Sequence, residues 1–203
     1  KIGKENTVGV IAAVIVLLVI LLVVAVSIKI SSDRRQKNLG TGTTMSDIDE
    51  ETAKLIDSAD ESSVKLYIER GVIADEKHYS IEMTVSATGR TIRVLHGYNN
   101  IEERSEGLPN NLEAYIAFLK ALEKYKFTTT REDKSGFGWR EACPTEKSYR
   151  FSMSIGSLEE FDRWYTFCDG DRYGDYGGRV TLVQTLFRNQ FPKYSEYIKG
   201  VRI

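Results

Sequence analysis

An unbroken apolar run of nineteen residues opens at Val8 and closes at Val26, with no charged or strongly polar side chain inside it. Extended through Ser27 and Ile28, it covers as a helix the roughly 30 Å of a bilayer's hydrocarbon core, where only a helix satisfies its own backbone groups. Two other readings compete. A buried core helix is shorter and carries a polar stripe, and a cleavable leader has a shorter apolar centre before a small-residue site. Ala25, Val26 and Ser27 resemble such a site weakly, but Lys29, Arg34, Arg35 and Lys37 follow at once, as at an uncleaved membrane exit. Residues 8–28 are therefore expected to hold the chain in a lipid bilayer.

Asn38, Leu39, Gly40, Thr41, Gly42, Thr43 and Thr44 then break the helix and read as a flexible tether. The organisation expected is a short tail and transmembrane helix over residues 1–30, a basic exit and tether over 31–45, and one globular domain over 46–203.

Within that domain the pattern changes period. Ser46 caps an expected amphipathic helix with Asp47, Asp49, Glu50 and Glu51 near its start and Ile48, Leu55, Ile56 and Ala59 on one face. Val64, Leu66 and Ile68 then alternate with polar neighbours, as do Ile81, Met83 and Val85, and residues 91–95 follow a turn over residues 87–90. These predict a three-stranded meander. Residues 99–109 read as a polar loop. Asn111 caps a helix with Leu112, Tyr115, Ile116, Leu119 and Leu122 at helical spacing.

Residues 127–131 read as a strand. Tyr149, Phe151, Met153 and Ile155 alternate with polar residues, Gly156 and Ser157 turn the chain, and residues 163–168 return, which predicts a hairpin. A helix over 179–191 ends at Pro192, with one more helical turn around Tyr194, Tyr197 and Ile198. The fold class expected is α+β, with an antiparallel sheet packed against helices.

The two cysteines, Cys143 and Cys168, fall at the open end of the expected hairpin. A bridge there would close a loop of about 25 residues and contribute roughly 3 kcal/mol by restricting the unfolded chain. The alternative is a pair of small buried hydrophobes in a reducing compartment. The disulfide is the favoured reading and points to an oxidising, extracytoplasmic space. Basic residues argue the other way: two precede the apolar run (Lys1, Lys4) and four follow it, so counting alone would leave the domain inside. Long domains translocate largely regardless of that count.

The first 37 residues carry a formal charge of +4, leaving −5 on residues 38–203. A mildly acidic domain without clustered Lys and Arg is an improbable nucleic-acid partner.

Three features carry candidate chemistry. Residues 169–178 place Asp169, Asp171 and Asp175 at alternating intervals with Gly174 at the sixth position, faintly like a calcium loop, but Val180 falls where the twelfth-position carboxylate belongs. A solvated Asp/Gly loop is preferred. Aromatic residues concentrate near the same end, and a binding patch built from Trp139, Tyr173 and Tyr176 with Asp169 and Asp171 is the candidate site, while Trp164 and Phe137 are expected in the core. His78 and His96, with Glu82 across from His96, could hold zinc or exchange protons, but lacking a metal spacing or a nucleophile motif they read as surface residues. No catalytic residue, metal or cofactor is expected.

Cys143, Pro144 and Thr145 with Tyr149, Arg150 and Phe151, then residues 163–168, then Leu186, Phe187 and residues 190–194, resemble an uncharacterised family of single-pass membrane proteins from ultrasmall candidate-phylum bacteria. The resemblance covers about the last third of the domain and the layout of span and tether. It implies an envelope protein displayed outside the cytoplasmic membrane, and gives no residue a role.

The function expected is thus a membrane-anchored extracytoplasmic binding or structural module that contacts an envelope protein or glycan. A pilin-like assembly subunit is the first alternative, although the tether interrupts the long helix such subunits use. An envelope hydrolase or metal enzyme is the second, and requires a pocket containing His78 or His96.

Overall fold

The computed structural model describes residues 50–203, and the apolar run, the tether and the cap at Ser46 lie outside them. Among the described residues no helix is long and apolar enough to cross a membrane. The elements are α1 (Glu50–Asp57), β1 (Ser62–Glu69), a 3-10 turn (Asp75–Lys77), β2 (Tyr79–Ser86), β3 (Gly89–His96), β4 (Ile101–Pro109), α2 (Leu112–Lys124), β5 (Ser148–Ile155), β6 (Leu158–Cys168), β7 (Asp171–Tyr173), α3 (Val180–Arg188) and α4 (Tyr194–Tyr197).

All seven strands join one antiparallel sheet in the order β4-β3-β2-β1-β5-β6-β7. β1 is its centre. Val64, Leu66 and Ile68 point to one face, where Ile81, Met83, Val85, Ile92, Phe151 and Met153 join them, all essentially without solvent exposure. Against this face pack Leu55 from α1, Tyr115, Phe118, Leu119 and Leu122 from α2, and Val183 and Phe187 from α3. Period-two and period-3.6 patterns thus meet in one core, and the alternate strand positions are left to a second, polar face.

Local signals explain the boundaries. Asn111 Oδ1 accepts a hydrogen bond from the Ala114 amide (2.9 Å), so α2 begins with a side-chain cap. The β5–β6 hairpin turns at Gly156, whose φ is +58°, and pairs Ile155 with Leu158. Cys143 and Cys168 form a disulfide with their Cα atoms 5.8 Å apart. Asp169 and Gly170, with φ of +54° and +88°, turn β6 into β7, the two-residue arrangement whose twist suits a hairpin.

Two expectations are corrected. Residues 99–109 are no loop: Ile101–Pro109 forms edge strand β4, paired with β3 through a bulge at Val94/Leu95. Its residues are exposed or half-buried throughout, and the charges of Glu102, Glu103, Arg104 and Glu106 suit an edge that must not recruit further strands. Residues 127–131 form no strand; Thr130 makes a single bridge to Tyr176, and Phe127 leaves the sheet to join the aromatic core.

In that core Tyr176 stacks on Phe151 (ring centroids 3.8 Å apart), and Phe127 lies between Phe151, Phe161 and Phe187. The Tyr176 hydroxyl is buried without a hydrogen-bond partner. Tyr176→Phe should therefore leave the denaturant midpoint unchanged or raise it, because it removes an unsatisfied polar atom, whereas Tyr176→Ala should cost about 3–5 kcal/mol in equilibrium unfolding.

Tyr115 offers a second check. Burial pushes its phenol from 10.0 up to about 12, opposed by a hydrogen bond with Ser62. The charged form is disfavoured in the fold, so this contribution is whole below the unfolded value and is lost as pH rises through the folded one. Circular dichroism should show stability falling between pH 10.0 and about 12, and Tyr115→Phe should flatten that fall.

Candidate functional site

The polar face begins with the strand positions left over by the core. Lys65, Tyr67 and Glu69 alternate along β1 opposite Thr84, Glu82 and Ser80 of β2, and opposite Ser152, Arg150 and Ser148 of β5. Charges there are paired across strands. Glu82 accepts from Arg93 (Nε, 3.0 Å) and meets Lys65 Nζ at 3.3 Å, and Arg150 donates to Asp162 (Nε, 2.6 Å). The bond with Glu82 raises the Arg93 pKa and that with Asp162 raises the Arg150 pKa, holding both guanidiniums charged.

Glu69, at the end of β1, is 1% exposed. A carboxylate so placed requires partners. It accepts from His78 Nε2 at 3.1 Å and from Arg140 through Nε (2.6 Å) and Nη2 (3.1 Å). Arg140 arrives on the segment between α2 and β5, and its guanidinium lies over the rings of Trp139 (4.8 Å) and Tyr98 (5.5 Å). Tyr98 in turn stacks on His78, 4.0 Å between centroids, and its hydroxyl donates to the Ile73 carbonyl (2.8 Å). The Glu69 bond raises the Arg140 pKa. Glu69, His78, Tyr98, Arg140 and Trp139 thus form one ion-pair and ring stack that clamps the segment onto the sheet.

The clamp sets Trp139. Its carbonyl accepts from Ser148 Oγ (2.9 Å), and its ring meets Tyr67 edge-on at 5.8 Å. Tyr67 donates to Asn100 Oδ1 (2.9 Å) at the β3–β4 turn, where Asn100 takes a φ of +54°. Burial pushes the Tyr67 phenol up. Between Trp139 and Arg140 on one side and Lys65, Glu82, Ser152 and Glu159 on the other lies a cleft of about 400 Å³.

The five residues proposed from sequence are separated by this arrangement. Trp139 lines the cleft over β1. Tyr173 pairs with Thr166 and Asp171 with Cys168 on edge strand β7, while Asp169 shapes the preceding turn. Tyr176 is fully buried, so it belongs to the core and not to a surface patch. Gly178 permits this, since a Cβ there would lie 2.6 Å from Tyr176 Cζ. Phe137, expected in the core, is 53% exposed, and Trp164 is half-buried beside Arg150 on the polar face.

The histidines are also reassigned. His78 is buried and bound to Glu69, and the β2–β3 register puts Tyr79, not Glu82, opposite His96. Asp175 serves the backbone, accepting from the Trp164 amide at 2.9 Å. Among the described residues no group of three or more His, Cys, Asp or Glu side chains is placed to hold a metal ion. Sequence reasoning missed Glu69, Tyr98, Arg140 and Asn100; the polar positions of β1 were the available signal. Compared with models of protein families and with curated proteins, the chain matches none.

Removing the Glu69 charge should loosen the donors of both His78 and Arg140. Glu69→Gln is expected to destabilise the domain by about 1–3 kcal/mol in denaturant unfolding, because Glu69 is buried while Arg140 is 39% exposed and can turn to water. Limited proteolysis of the same variant should cut within residues 132–142 before any strand. Arg140→Lys, which keeps charge but loses the planar fork, should show a smaller loss and the same new cleavage.

Proposed function

We propose that this chain is a membrane-anchored, extracytoplasmic binding module of a bacterial cell envelope, which uses the polar cleft to hold an envelope component. The observation that carries the binding reading is the preorganised wall of that cleft. Trp139 and Arg140 are fixed by a bidentate ion pair to the buried Glu69, ring stacking and a backbone hydrogen bond, and such fixing lowers the ordering cost of binding. The disulfide closes the same segment at Cys143 and is consistent with an oxidising space. Anchoring rests on the apolar run of residues 8–28 and the basic residues that follow it.

The candidate patch moves accordingly. Trp139 remains in it, Tyr67, Asn100, Arg140 and Arg150 join it, and Tyr173 and Asp171 sit on a separate edge strand with Asp169 in the turn before it.

Topology is tested by adding protease to spheroplasts of bacteria expressing the full chain, paired with mass measurement under non-reducing conditions. The domain should be digested from outside, and the isolated protein should be lighter by the two hydrogens lost on oxidation. A domain protected until lysis, carrying two free thiols, would overturn the display reading.

A further inference from the structure

We infer that the cleft over β1 binds a short, uncharged saccharide segment through Trp139 and the paired polar side chains around it, an inference that rests on the binding reading above. Three observations lead there. First, the basic side chains at the cleft are already matched: Lys65 and Arg93 with Glu82, Arg150 with Asp162, and Arg140 with Glu69, while Glu159 adds a further negative charge that acts on Arg150. An anionic ligand would have to displace one of these internal partners and would meet the Glu159 carboxylate besides. A hydroxylated, neutral one would not, because each paired carboxylate keeps spare lone pairs and each guanidinium spare N–H donors.

Second, the cleft lies over β1 and β5, central strands whose backbone groups are taken up by neighbours on both sides. An extended peptide binds by adding to a sheet edge, which this face does not present. Third, one wall is the half-buried Trp139 ring held edge-on by Tyr67, an apolar panel among polar groups. A sugar ring offers the complementary pattern, with C–H surfaces for the panel and hydroxyls for Ser152, Asn100, Glu82 and Arg150. The volume of about 400 Å³ falls in the range of small-ligand sites.

The test uses the full chain in lipid nanodiscs, since an alkyl maltoside detergent would itself present a neutral sugar. Chitotriose, cellotriose, maltotriose and mannotriose are titrated against tryptophan fluorescence in a Trp164→Phe background, where Trp139 is the chain's one tryptophan, with empty nanodiscs subtracted. Trigalacturonate and triglutamate serve as charged comparators. At least one neutral trimer should give a saturable change, weakened about tenfold or more by Tyr67→Ala, and in a parallel calorimetric titration by Trp139→Ala, each variant titrated well below its own thermal midpoint and with the far-ultraviolet circular dichroism of the parent. The inference is overturned by a flat response to all four neutral trimers up to about 10 mM, where millimolar affinity would still register. Tighter binding of a charged comparator, or affinity unchanged in Trp139→Ala, overturns it equally. Failure here leaves the protease result untouched, and a protected domain that still binds sugar would sink the display reading alone.

Discussion

Glu69 is a carboxylate at the end of the central strand with almost no access to water, and it cannot remain there unpartnered. Its needs organise the polar half of the molecule. One oxygen takes His78, which draws Tyr98 into a stack and orients the β3–β4 side. Both oxygens take Arg140, which brings an otherwise strand-free segment across the face and sets Trp139 beside Tyr67. Without that carboxylate Arg140 would lose its ion pair, and the cleft would lose the anchor of one wall. The core on the opposite face takes no part in these contacts.

The disulfide adds a second constraint at the far end of the same segment. Cys143 is tied to the last residue of β6, and the Trp139 carbonyl to Ser148 at the start of β5. A segment fixed at both ends by a covalent link and a buried ion pair has little freedom left to lose on meeting a ligand, which favours affinity through preorganisation instead of area. The anchoring proposed above would act in the same way: display near a surface limits the volume to be searched, so modest affinity per contact would suffice.

Legibility followed burial. The β5–β6 hairpin, the cap at Asn111 and the apolar stripes of α2 and α3 could be read because each has one face against the core, and a periodic pattern results. β4 could not, because an edge strand with no buried side carries charges at consecutive positions and reads as a loop. Residues 127–131 misled in the opposite sense: Phe127 is there to fill an aromatic core, and a single bridge at Thr130 is all the pairing that follows. The candidate site was the least legible part. Glu69 and Arg140 are 71 positions apart, and no local signal marks two residues as partners across that distance.

Tyr176 shows why a glycine-rich aromatic segment is ambiguous. Glycine lets backbone approach closely, and closeness serves a core as well as it serves a flexible binding loop. Here the approach is inward, with the ring stacked on Phe151 and the neighbouring glycine making room for it. Trp139 sits in a similar glycine-flanked context and comes to rest on the opposite face. What separates the two is the partner each ring finds. Tyr176 meets Phe127 and Phe151, an apolar environment that leaves its hydroxyl stranded, whereas Trp139 meets a guanidinium and a half-buried phenol. An aromatic ring bordered by charge keeps part of its surface toward water, and that retained surface is what a binding site is built from.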